Sequence, residues 1–123
     1  LPDNTAEDSF DILPALLDQA TKPIREFTLH QTIKLDLAIR NGDWKYLDHK
    51  GSGGNNYERG GEWGLKQFAL PNNAPDAPGQ LYNLAKDPGE TKNLYNEHPD
   101  IVKRLKEKLE EFKKSGRSRP SAN

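Results

Sequence analysis

Arg59 and Trp63 are the residues whose chemistry stands out first, because they sit with Tyr57 in a glycine-rich stretch, HKGSGGNNYERGGEWGLKQFALPNNAPDAPG, over residues 49–79. A guanidinium there can pair with a sulfate or carboxylate, and an aromatic ring can stack on a sugar. The same rings can also cover a protein surface. Lys50 ahead of Gly51-Ser52-Gly53-Gly54 has the wrong order for a P-loop, in which lysine follows the glycines and precedes Ser or Thr. What remains is a loop of backbone amides able to meet an anion. His30, His49 and His98 are the only histidines and form no pair at metal-ligand spacing. The absence of cysteine removes disulfides, thiolate zinc sites and a cysteine nucleophile.

The elements that must hold these residues are legible from periodicity. Phe27 and Leu29 alternate with Thr28 and His30, which predicts a half-buried strand over Arg25–Thr32. Two further strands, Leu35–Arg40 and Asp43–Asp48, flank Asn41-Gly42, a dipeptide suited to a type I′ hairpin turn with positive φ at both central positions. That turn places Ile39 opposite Trp44 and Leu37 opposite Tyr46, all four on one buried face, with Ala38, Arg40, Asp43 and Lys45 on the other. Trp44 and Tyr46 therefore read as core rather than as a ligand platform, with Trp44 buried beside Ile39.

A fourth strand covers Gln80–Leu84 and stops at Asp87-Pro88-Gly89, where proline presets φ and glycine permits positive φ. From Pro99 onward Ile101, Val102, Leu105, Leu109 and Phe112 share one helical face. Asp100 and the pair Lys113-Lys114 match the helix dipole at opposite ends, and Gly116 is placed to stop the helix. Near the start, Phe10, Ile12, Leu13, Leu16 and Leu17 around Pro14 suit a short docking helix. The predicted fold class is α+β, a small antiparallel sheet of about four strands packed against a C-terminal amphipathic helix. Residues 49–79 form a long loop and residues 116–123 a flexible tail.

At 123 residues, with 33% hydrophobic content and a mean hydropathy of −0.98, the chain fits one domain with a modest core. Eighteen basic against nineteen acidic residues leave a net charge of −1, so no global field recruits nucleic acid or an anionic membrane. No apolar run approaches the roughly 20 residues that span a bilayer. A chain that opens on Leu1 and contains no methionine reads as starting inside a longer gene product.

Four stretches recur in the same order in one enzyme family: AEDSFDILPALL (6–17), LAIRNGDWKYL (37–47), QLYNLAKDPGETKNL (80–94) and EHPDIVKRLKEKL (97–109). On these the chain resembles the C-terminal subdomain of formylglycine-dependent sulfatases of the arylsulfatase and N-acetylgalactosamine-6-sulfatase type. The resemblance implies a parent that hydrolyses sulfate esters, with calcium and a formylglycine made from a C/S-x-P-x-R motif. That motif does not occur here.

The implied role is a non-catalytic part that completes the core and the rim of the substrate cleft, partnered by the N-terminal catalytic domain of the same polypeptide. Neither nucleic acid nor a membrane is an implied partner. By the same resemblance the protein is secreted or periplasmic. His30 stands where relatives carry His-His-Ser, although Gln31 and Thr32 depart from that pattern; with Tyr57, Arg59 and Trp63 it makes the candidate set for a sulfated carbohydrate. The alternatives are a stand-alone carbohydrate-binding module using Tyr57, Arg59 and Trp63, and a protein-interaction module.

Overall fold

Alternating side chains and tight turns fold the chain into a four-stranded antiparallel meander, ordered β1 (Phe27–Gln31), β2 (Leu37–Asn41), β3 (Trp44–Leu47) and β4 (Gln80–Asn83). A four-residue helix α1 (Leu13–Leu16) precedes the sheet and the long helix α2 (Pro99–Ser115) follows it. The structure, a computed structural model, describes residues 9–32, 35–51 and 73–118. The expected class and strand count hold, and each strand is slightly shorter than its sequence pattern.

The central hairpin differs from its expected register. Ile39 pairs with Tyr46 and Asn41 with Trp44, so the two-residue loop is Gly42-Asp43 rather than Asn41-Gly42. Gly42 has φ of 57° while Asp43 is not among the residues with positive φ, a pattern of signs that fits type II′ and excludes type I′. Asn41 continues the strand as the partner of Phe27, and its Nδ2 donates to the Glu26 carbonyl at 3.0 Å. The slip moves the pairing by two residues and so leaves each side chain on its expected face.

On one face Leu29, Ile39, Tyr46 and Leu81 form a cross-strand row beneath Val102, Leu105, Leu109 and Phe112 of α2. The helix is built as its sequence predicts: Pro99 in the first turn, Asp100 behind it, and Gly116 in the left-handed conformation donating its N–H to the Phe112 carbonyl at 2.9 Å. Phe27 meets Phe112 edge-on at 5.9 Å. Trp44 is only half-buried, contrary to its expected place beside Ile39; it lies in the neighbouring row between Asn41 and Asn83, edge-on to His98 at 5.0 Å. The second face is not bare either, since Ala38, Leu47 and Tyr82 are buried there with Leu84 against them.

The stretch from Gln80 to Leu94 owes its composition to satisfying the outer edge of β4. Asn93 is 3% exposed, and its Oδ1 accepts the N–H groups of Leu81 and Tyr95, each at 3.0 Å, while its Nδ2 donates to the Gly79 carbonyl. With the Leu94 N–H, which donates to the Leu81 carbonyl at 2.8 Å, this side chain takes the place of a neighbouring strand. Upstream, the Asp87 carboxylate accepts the backbone N–H groups of Thr91 and Lys92 and the Thr91 hydroxyl. Desolvation pushes that carboxyl upward, but these bonds prevail and hold it below its ordinary value. The positive φ expected at Gly89 falls instead on Glu90, at 52°, whose carboxylate meets Lys45 Nζ at 2.6 Å.

A second ionic group ties helix to sheet. Lys113 of α2 reaches Asp48 at 2.7 Å and Glu110 at 2.6 Å, and the Tyr46 hydroxyl donates to Asp48 at 2.8 Å. Burial, then the bond to Asp48, pushes the Tyr46 phenol well above its ordinary range. Desolvation raises the Asp48 carboxyl, yet the bonds from Lys113 and Tyr46 outweigh it and leave it lowered. A lowered carboxyl stabilises the fold above its unfolded pKa of about 4 and loses that contribution as pH falls through the lower folded value. Asp48→Asn is therefore expected to reduce the loss of urea resistance between about pH 6 and pH 3, by less than about 1 kcal/mol because the pair is partly solvated. An unchanged acid dependence in the variant rejects this.

Candidate functional site

The face of the sheet turned away from α2 carries the groove in which His30 lies. Thr28 pairs with Arg40 and His30 with Ala38, and the strand period points Thr28, His30 and Arg40 to this side. With Lys22, Arg25 and Glu26 from the segment leading into β1 they line an open groove of about 690 Å³. The Asn41 amide bond to Glu26 fixes that segment to the end of β2, and Arg40 Nε donates to the Gly42 carbonyl at 2.9 Å across the hairpin turn.

Three basic side chains against one carboxylate give this groove a sign opposite to the chain's net charge of −1. Lys45 stands across from Arg40 on the same face but is neutralised by Glu90. Arg40 itself has no carboxylate partner among the described residues, and neither has Lys22. Arg25 lies 4.6 Å over the Phe10 ring, which anchors its stem to the N-terminal segment. Of the residues singled out from sequence, His30 is exposed in this groove. Tyr57, Arg59 and Trp63 lie outside the described residues.

Lys22, Arg25 and Arg40 were not legible as a group. Period two assigns Thr28, His30 and Arg40 to faces, but only the pairing of β1 with β2 puts those faces on one side. Among the described residues no three His, Asp or Glu side chains gather as a metal site.

An N-acetylgalactosamine-6-O-sulfatase of Bacteroides thetaiotaomicron is 34% identical to this chain over 113 residues, which are 92% of the chain and 20% of that protein. A solved structure from the same organism, determined in work on the metabolism of multiple glycosaminoglycans, superposes with a TM-score of 0.68 at 32% identity, over 93% of this chain and 22% of the other. The chain matches part of a sulfatase.

It corresponds to the C-terminal subdomain and spans about one fifth of the length of these relatives. No protein-family model matches it. The stretch Gln80–Leu94 is used for strand-edge and turn bonding. No helix among the described residues of this sulfatase subdomain is long and apolar enough to cross a membrane.

Proposed function

We propose that this subdomain is a non-catalytic part of a sulfatase that hydrolyses sulfate esters of a sulfated glycan, and that it completes the core and the cleft rim of that enzyme. The observation that carries the reading is identity to a sulfatase over 92% of the chain while the chain spans 20% of that relative. Surface composition supports it. Ile12, Leu13, Leu16 and Leu17 are each at least 55% exposed around α1, which buries none of its own residues. Such an apolar set is what a larger body of the same polypeptide would cover.

The calcium and formylglycine of the family do not fit the residues present. No C/S-x-P-x-R motif occurs, and the described carboxylates and histidines form no cluster. In this reading both belong to the rest of the polypeptide, and a secreted or periplasmic site goes with the family. The chain's own part is packing and binding.

The test is activity on an aryl sulfate with calcium. The 123-residue chain is expected to give no turnover and the full-length polypeptide to give it. Turnover that purifies with the short chain overturns the non-catalytic role. Full-length protein inert toward every sulfate ester, yet still binding glycan through this part, replaces the reading with a carbohydrate-binding module.

A further inference from the structure

We infer that the groove of Lys22, Arg40 and His30 binds an anionic group of the glycan at a position away from the ester being hydrolysed. This rests on the sulfatase reading above and adds a subsite to it. Lys22 and Arg40, two cations without carboxylate partners among the described residues, line one groove on the side to which the pairing of β1 with β2 assigns Arg40, and they attract a sulfate or carboxylate far more than a dispersed surface charge does. The Arg40 guanidinium uses Nε on the Gly42 carbonyl, which orients the group and leaves its two terminal nitrogens for two-point contact with a planar pair of oxygens. Thr28 adds a hydroxyl beside Arg40, and His30 a ring nitrogen one register step further along the strand.

Glu26 is the counter-argument within the groove, since it repels an anion from one wall. Its carbonyl is committed to Asn41, which fixes its backbone, and the residue itself is exposed. The groove keeps an excess of positive charge with Glu26 included. A volume of about 690 Å³ holds more than one sugar-sized group. A glycan with charge repeated along its length therefore suits it better than a free small anion. The shared chemistry is an oxyanion on a sugar, either a second sulfate or a uronate carboxylate.

The experiment uses the full-length polypeptide with Lys22→Gln, Arg40→Gln and the double variant, and Lys103→Gln on the solvent side of α2 as control. Initial rates are measured on a sulfated oligosaccharide containing uronate, on one lacking the second sulfate and on one lacking the uronate. The double variant is expected to raise KM about tenfold or more on the first substrate with little change in kcat, as loss of ground-state binding does. Disappearance of that effect in one of the other two arms identifies the oxyanion.

Equal KM for the double variant and the Lys103→Gln control overturns the subsite. Lys22→Gln keeps the test readable if Arg40→Gln disturbs the hairpin, because Lys22 makes no bond among the described residues. Should the full-length protein hydrolyse no sulfate ester, the sulfatase reading fails by itself. The groove is then judged by calorimetric binding of the same oligosaccharides. A duplex DNA of matched charge that binds as tightly as the oligosaccharide overturns the glycan assignment.

Discussion

Asn93→Ala is expected to lower the unfolding free energy by about 3 kcal/mol, a large fraction of what a domain of this size possesses. The truncation strands the N–H groups of Leu81 and Tyr95 and the carbonyl of Gly79, at a place where Asn93 is 3% exposed and Leu81 fully buried. Water has little access to replace those bonds, so their desolvation cost falls on the folded state. Asn73→Ala provides the comparison. Asn73 also bonds to Asn93, through its backbone N–H and carbonyl, but Asn73 is itself exposed, and its loss is expected to cost about 1 kcal/mol. Urea unfolding of the three proteins checks this. Equal midpoints for wild type and Asn93→Ala reject the view that this side chain closes the sheet edge.

Tyr46→Ala is expected to cost about 3–5 kcal/mol and Trp44→Ala clearly less. Tyr46 is 1% exposed, paired with both Ile39 and Leu81, with its ring 6.4 Å from that of Tyr95. Trp44 keeps part of its surface in water and packs only partly buried against the core, edge-on to His98. Tyr46→Phe separates the two parts of the tyrosine, because it keeps the ring and removes only the bond to Asp48, for about 1 kcal/mol. Thermal or urea unfolding gives the order. A cost for Trp44→Ala equal to that for Tyr46→Ala contradicts the observed centre of the core.

These two residues also show why hydrophobic size is a poor guide to core rank. Tryptophan carries the larger apolar surface, and from its alternation with Tyr46 it reads as the buried member beside Ile39. Its position one register step toward the hairpin end puts it instead opposite Asn41 on one side and Asn83 on the other. A ring flanked by two amides at the end of a short sheet packs against the margin of the core, with His98 at the start of the helix edge-on to it.

The sulfatase signature invites a related caution about function. In this chain Gln80–Leu94 serves a strand edge, a proline turn and a carboxylate cap, each of which depends on particular polar side chains. The groove of Lys22 and Arg40, by contrast, lies only partly within such a stretch, through Arg40, and depends on residues from three separate segments.

What the sequence determined by itself is everything governed by local periodicity. The face of α2 with Val102, Leu105, Leu109 and Phe112, its Gly116 stop, and the sidedness of Leu37, Ile39, Trp44 and Tyr46 follow from 3.6- and 2-residue repeats and from backbone preferences of single residues. Tertiary structure alone decided three things. The hairpin register departs from the turn preference of Asn-Gly, with Asn41 kept in β2 as the partner of Phe27 and bonded to Glu26, 15 residues away. Positive φ went to Glu90 rather than Gly89 where Lys45 of a neighbouring strand meets its carboxylate. The basic groove arose where β1 and β2 aligned Thr28 with Arg40. In each case the deciding energy is an interaction between residues distant in the chain, and no pattern within a single stretch encodes it.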